Sequence, residues 1–457
     1  MDRLIARFAQ EVEDGFEIVT IYEKAGIQKE RVEEDAFFLS LQEKHPSAIW
    51  FERKIYDDFG LRIAKTYDNR PLTHHERFPN ISPMKKSFRD SKIDEVEFKP
   101  YRYKTIKGDG VFNVSVGPIH AGIIEPGHFH FSQAGENILF LEVRHGYKYR
   151  GIEKMCEGKG LDDITPIISR ISGNESIAYQ IALYELKEQA LGNDEVMPNI
   201  QHAILLELER LVHHFTDIGF IPNDAGFGAS LTMGSVMAED TKRILTTLTN
   251  SRFGFDSIGQ DIELNSKKSE LSEYLYKMNR EIKWFEDWIM DIPSLWDRLD
   301  TTGILTTRQA IHYDTVGVVA RASGLKLDRR DNEFYKQYGY ELQREAKGDV
   351  GARFKLRIKE INNSLLIIEN MLNDFKEYSS IKDNNYKDGE YISFVESSIG
   401  ELMMYLKLKD GVIDRLFIRD PSFINWQSLH LMMTSDIIAD FPLINKSCDL
   451  SYAGCDL

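Results

Sequence analysis

Apolar residues recur at alternating steps of four and three along the second half of the chain. Phe354, Ile358, Ile361, Leu365, Ile368, Leu372 and Phe375 form one stripe, and Leu271, Leu275, Met278, Ile282, Phe285 and Ile289 a second. Ile204, Leu208, Leu211 and Phe215, within residues 198–220, form a third. This period belongs to helices that bury one face, and several long ones predict a helical bundle. The stripes read as packing surfaces, not cofactor boxes. Upstream the pattern changes. HFHFSQ and NILFLEVRHGYKYRG are alternating runs separated by Ala134, Gly135 and Glu136, which predicts a hairpin within a small sheet over residues 96–151. The first 85 residues mix helical and strand patterns and end in the turn-rich YDNRPLTHHERFPNISP, before a polar linker over residues 85–97. The fold class expected is α+β: a small N-terminal α/β domain, a short β-sheet region and a large helical core that dominates beyond residue 160.

Composition narrows the chemistry. With 457 residues, 42% of them hydrophobic, the chain can bury a substantial core. Its formal charge of -16 and the absence of a basic run with interleaved aromatics exclude nucleic acid as a partner. Cys156, Cys448 and Cys455 form no CxxC pair and no disulfide framework, which fits a reducing cytoplasm. The opening MDRLIARFAQEVEDG is unlike a signal peptide, and no apolar run reaches the roughly 18 residues needed to span a bilayer. Work at a membrane would require other subunits to hold the chain there.

Several blocks then stand in a recognisable order: GPIHAGIIEPGHFHF (117–131), RHGYKYRGIEK (144–154), LELERLVHHFTDIGFIPNDAGF (206–227), GVVARASG (317–324), GDVGARFKLRIKEINNSL (348–365) and RDPSFINW (419–426). Together they resemble the large subunit of the group 4 [NiFe]-hydrogenases of the formate hydrogenlyase type and, more distantly, the 49 kDa subunit of complex I. ERKIYDDFGL (52–61) and RPLTHHERFP (70–79) are similar to the end of the complex I 30 kDa subunit. The resemblance implies a docking domain over residues 1–85, shortened at its start, a linker over 86–109, and a hydrogenase large-subunit domain over 110–457. Tyr56, Asp57 and His74 in the docking domain are expected to be structural.

The family's nickel-iron centre needs four thiolates, soft ligands that stabilise low-valent nickel and bridge it to iron. Its CGxC motif aligns with RISGNESIAY and its DPCxxC motif with DPSFIN, so Ser172, Glu175, Ser422 and Asn425 stand at the four cysteine positions. All are hard donors, and no metal is expected; the emptied site is expected to hold polar residues bonded to one another. The quinone-holding positions of complex I correspond to Ile124 and Gly173, whose side chains cannot donate to a quinone oxygen.

Other positions match. The resemblance implies that Glu125 relays protons, that Arg170 and His214 stand near a [4Fe-4S] cluster in a partner small subunit, that Asp224 lies at the cavity, and that Arg321 sits where an arginine flanks the hydrogenase iron. It also implies a redox role on the cytoplasmic side of a membrane, with an iron-sulfur small subunit, a ferredoxin-like subunit and antiporter-like membrane subunits as partners. The alternative is a non-enzymatic scaffold. Read from spacing alone, Glu207, Arg210 and His214 share one helix face and would form a surface salt-bridge ladder. His128 and His130 share a strand face without further ligands nearby, and His120 is expected to support its loop's backbone.

Overall fold

A computed structural model describes residues 2–90, 93, 96–120, 124–193, 199–260, 262, 264–375, 385–434 and 436–457. The chain opens with an antiparallel meander, β1 (Leu4–Val12), β2 (Gly15–Tyr22) and β3 (Gly26–Val32). Next, β4 (Phe37–Leu39) and β5 (Arg62–Ala64) pair in parallel across the helix α1 (Ala48–Phe59), a crossover that parallel pairing demands. The predicted hairpin is present: β6 (Val111–Val116), β7 (His128–Ala134) and β8 (Asn137–Arg144) form a second meander, turning at Gly135 with φ of 60°. Its first strand starts at Val111, well after residue 96.

Short helices α2 (Ile152–Cys156) and α3 (Thr165–Ile168) lead into the core, built from α4 (Ser176–Leu191), α5 (Ile200–Asp224), α6 (Ala229–Thr249) and α7 (Leu264–Met290). The smaller α8 (Pro293–Leu299), α9 (Thr307–His312), α10 (Gly317–Ala322) and α11 (Glu333–Gln337) precede α12 (Val350–Asp374). The three stripes map onto α12, α7 and α5; Phe375 caps α12, and Pro198 lies outside the described residues. Helix α5 is the axis of the bundle. Asn199 caps its start by accepting from the Gln201 and His202 amides, and nearly every position along it is buried, so its neighbours enclose it on all sides. Against α6 it passes at Gly219 and Gly234, where a Cβ on Gly234 would stand 2.5 Å from the Phe215 carbonyl; only glycine allows helices so close.

Helical pattern does not dominate everything beyond residue 160. A third meander, β9 (Gly389–Glu396), β10 (Glu401–Lys409) and β11 (Val412–Arg419), interrupts it. The turn Asp410-Gly411 has both φ values positive, 56° and 74°, the geometry an Asp-Gly hairpin favours. The N-terminal sheet packs on this meander: Phe8 stacks on Phe417 at 4.2 Å and tilts against Tyr405 at 4.8 Å. The chain closes with α13 (Pro421–Asn425), α14 (Leu429–Met433), α15 (Phe441–Cys448) and α16 (Tyr452–Asp456).

Candidate functional site

The four positions that align with nickel ligands converge. Ser172 and Glu175 lie in the turn that enters α4, while Asp420 and Pro421 start α13 as a capping residue and a proline at the first helical position. Asp420 Oδ1 accepts from the Ser422 amide at 2.7 Å. Ser422 Oγ accepts from the Ser451 amide at 2.9 Å, and Ser451 Oγ lies 3.3 Å from Ser172 Oγ. Asn425 spends both ends of its amide on Val316, accepting from its N–H at 3.0 Å and donating to its carbonyl at 3.2 Å. Glu175 accepts from Ser397 Oγ in the β9–β10 turn. All four side chains are buried.

These residues do not fit a nickel-iron group. The thiolates are replaced by hydroxyl, carboxyl and amide groups, and their donor and acceptor atoms are largely committed to one another or to backbone. Among the described residues no three His, Cys, Asp or Glu side chains are grouped to hold a metal ion. Cavities of about 110, 510 and 300 Å³ lie elsewhere, and none has Ser172, Glu175, Ser422 or Asn425 in its wall.

The locus is rich in buried acids. Burial, reinforced by Asp420, holds the Glu175 carboxyl well above the usual range. Glu209, buried on α5, accepts from the Ile177 and Ala178 amides at 2.7 and 3.1 Å and so caps α4; burial pushes its carboxyl up to about 8. Tyr179 donates its hydroxyl to Asp420 Oδ2.

The remaining sequence-derived residues fall into separate environments. His214 and Arg321 are brought together through Glu360: His214 Nε2 lies 2.7 Å and the Arg321 guanidinium 2.8 Å from its carboxylate. Arg321 also pairs with Glu396 at 2.6 Å and Asp328 at 3.3 Å. Glu207 bonds Arg210 at 3.2 Å and Arg330 at 3.1 Å, and Arg210 donates to the carbonyls of Glu396 and Ser397. The Glu207–Arg210–His214 face is thus an interior charge network and not a surface ladder. Sequence reasoning missed Glu360, Asp328, Arg330 and Glu396; Glu360 lies off the apolar α12 stripe, on the face of Arg353, Arg357 and Ser364.

Arg170 is at the surface, paired with Asp256 at 2.6 Å, and no hydrogen bond or ion pair joins it to His214 among the described residues. Glu125 is half exposed, 3.3 Å from Lys148, and accepts from the Ala453 amide at 3.0 Å. Asp224, half-buried at the end of α5, has Asn223 as a neighbour at 3.4 Å, and burial raises its carboxyl. Ile124 is half exposed, and a Cβ on Gly173 would meet only Phe253. His120 Nε2 donates to the Gly127 carbonyl at 2.8 Å, bracing the loop. Asp57 accepts from the amides of Leu72, Thr73 and His74, and His74 stacks on Phe78, both internal to the N-terminal domain.

The fold resembles that of large subunits of the complex I and hydrogenase type, and the positions aligned with the metal ligands are filled by hydrogen-bonded side chains. Residues 5–93 match the family of the respiratory-chain NADH dehydrogenase 30 Kd subunit, and residues 247–387 and 374–457 match that of the 49 Kd subunit. The chain is 28% identical over 448 residues to formate hydrogenlyase subunit 5 of Escherichia coli (strain K12), covering 93% of this chain and 78% of that protein. It is 26% identical over 439 residues to the C/D subunit of NADH-quinone oxidoreductase of Phocaeicola vulgatus, covering 87% and 82%. A chain of the membrane-bound sulfane sulfur reductase, an archaeal respiratory membrane complex, shares the fold with a TM-score of 0.70 at 20% identity, covering 76% of this chain and 99% of that one. The chain thus carries a 30 kDa-type match ahead of a 49 kDa-type match and is similar along most of its length to hydrogenase and NADH-quinone oxidoreductase subunits, while the nickel-ligand cysteines are absent from it. No helix among the described residues is long and apolar enough to cross a membrane.

Proposed function

We propose that this chain is the peripheral redox subunit of a membrane-associated complex related to complex I and the energy-converting hydrogenases. It docks on an iron-sulfur small subunit that holds a [4Fe-4S] cluster, on the cytoplasmic side, together with a ferredoxin-like subunit and antiporter-like membrane subunits. It exchanges electrons through that cluster and couples them to protons without a nickel-iron centre. One observation carries this reading: the positions of the lost thiolates are closed by hydrogen bonds, yet the acids Glu175, Asp420 and Glu209 and the hydroxyl of Tyr179 remain buried there. Keeping acids in an interior without a cationic partner is unfavourable, which argues for a use. Relatives named as formate hydrogenlyase and NADH-quinone oxidoreductase subunits support the setting.

The same closure favours a second reading, a scaffold that organises the complex without taking part in electron transfer. Purifying the intact complex, measuring its metals and screening electron acceptors (protons, quinone analogues and polysulfide) separates the two. The redox reading expects iron, no nickel and turnover with an acceptor other than protons. A complex that turns over equally well after mutation of the Glu175 locus supports the scaffold.

A further inference from the structure

A cavity of about 110 Å³ lies between α4, the start of α5, the segment that enters α11, and β9. Ile181, Ala203, Leu206 and Val395 form its buried floor, while Asn332 and Phe334 are half exposed. A space of this size holds one small molecule; about 150 Å³ takes a benzene ring. The residues aligned with nickel ligands have no part in it, so the site stands apart from the redox reading and either can fail alone.

The polar wall is unevenly satisfied. Arg330 is matched by Glu207 at 3.1 Å and Asp328 at 2.8 Å, and Arg329 by Glu23 at 2.9 Å and by Glu401. Glu396 pairs with Arg321 at 2.6 Å and accepts from the Arg329 amide at 3.1 Å. His202 accepts from the Gly259 amide at 3.4 Å, and burial lowers its ring to about 4, so it brings no charge near neutral pH. Glu185 differs from these. Ser393 Oγ donates to its Oε2 at 2.9 Å, but among the described residues its Oε1 accepts no hydrogen bond and no cation pairs with it. Asn199 adds a donor: its Oδ1 caps α5, and its buried Nδ2 has nothing to donate to among the described residues. One acid without a cation and one amide without an acceptor therefore line the same cavity.

We propose that this cavity binds a small organic cation that also carries a hydrogen-bond acceptor, of the amino-alcohol class, with its ammonium group on Glu185 and its hydroxyl oxygen on Asn199 Nδ2. The remaining wall suits such a guest. Tyr184, edge-on to His202 at 4.6 Å, lines the space with Phe334, Tyr335 and Phe394, and aromatic rings attract an ammonium ion, most strongly where water is excluded. Arg329 does not serve as the missing cation, since its guanidinium is turned to Glu23 and Glu401 and lies 4.6 Å over the Phe394 ring. Burial without a cation pushes the Glu185 carboxyl up to about 7, a penalty that a bound ammonium ion relieves. An anion would be repelled by Glu185, and a neutral alcohol would leave it uncompensated.

The test is a set of ligand-observed NMR titrations on the full chain with four probes: ethanolamine, propylamine, n-propanol and acetate. Wild type should bind ethanolamine saturably and propylamine, which lacks the acceptor, about fivefold more weakly, with no saturation by n-propanol or acetate. Glu185→Gln keeps an acceptor for Ser393 but removes the charge, and should weaken ethanolamine binding by at least about tenfold. Asn199→Ser keeps a capping oxygen for α5 and should erase the preference for ethanolamine over propylamine. Ethanolamine signals that change linearly without saturating would overturn the proposal. So would saturable binding that survives Glu185→Gln, equal affinity of wild type for the two amines, or saturable binding of acetate. If Glu185→Gln does not fold, Asn199→Ser and the probe series on wild type still decide.

Discussion

His214 Nε2 lies 2.7 Å from Glu360 Oε2, tying the centre of α5 to the centre of α12 with both side chains out of water. Burial lowers the ring to about 4 despite the carboxylate, so near neutral pH the imidazole is uncharged and donates Nε2–H. Glu360 in turn supports Arg321. The relationship is one link of a closed network of acids and arginines, in which removing one partner leaves the others poorly compensated.

Replacing His214 by Met should therefore destabilise the chain by about 2 kcal/mol, the loss of one buried hydrogen bond to a charged acceptor. Wild type should lose stability as the pH falls from the unfolded histidine value of about 6.5 through about 4, because the depressed folded value makes the unfolded state bind the proton first. The Met variant should lack that loss. Denaturant midpoints across acid pH check both statements. If the proposed partner cluster is present, the same value predicts that His214 contributes nothing to any pH dependence of its potential near neutrality. A redox titration showing a changed neutral slope in the variant would contradict it.

Restoring a family cysteine should harm this chain. Asn425 satisfies both the N–H and the carbonyl of Val316 in a fully buried setting. Asn425→Cys or Asn425→Ala leaves the buried Val316 N–H unpaired and its carbonyl with the Ala320 amide alone at 3.4 Å, a destabilisation of about 2 kcal/mol. Nickel should stay absent from wild type and from the variant by metal analysis, with hydrogen uptake at background. Nickel at one per chain would sink the filled-locus account.

How much of this was legible beforehand follows physical lines. Long helices announce themselves by periodicity, and the hairpin at Gly135 by its turn, so α5, α7, α12 and β7–β8 could be read from local sequence. The β9–β11 meander escaped because ELMMYLKLK is buried on both faces and carries no clean alternation. The Asp410-Gly411 turn was the usable signal. Loss of the thiolates was readable from motif alignment, whereas the main partners of Glu175, Arg321 and His214 come from other elements of the fold, 222 residues away for Ser397 with Glu175 and 146 for Glu360 with His214. Ser397, Glu396 and Ser451 are ordinary residues until the fold places them.

Gly317 illustrates the same point from the backbone. It opens α10 with φ of 62°, and a Cβ would stand 1.7 Å from the Ile399 carbonyl oxygen. Gly317→Ala combines a left-handed backbone with a collision against main chain, so it should cost more than about 3 kcal/mol. Soluble yield and thermal midpoint report it, and a variant within about 1 kcal/mol of wild type would show that the two segments can separate freely.

Glu209 gives a pH test in the opposite sense from His214. Its carboxyl holds the first amides of α4 from the side of α5. A carboxylate is welcome at a helix N-terminus, but here burial prevails and raises the group from 4.5 to about 8. A raised folded value means that the folded state keeps its proton while the unfolded state releases it. The stabilisation is complete below about 4.5 and is lost progressively as the pH rises through about 8. Glutamine has no proton to lose, but it keeps an acceptor for only one of the two α4 amides and turns its NH2 toward the other. Glu209→Gln should be less stable than wild type by about 1–3 kcal/mol in mild acid and gain on it as the pH climbs. The gain should be at most about 1.4 kcal/mol per pH unit and level off once Glu209 is ionised in both states. Raised acids that do not interact with Glu209 are common to both proteins, and their titration cancels in the comparison. Denaturation midpoints at matched pH values give the two curves, and curves that run parallel from acid to alkaline pH would show that Glu209 is already ionised in the fold.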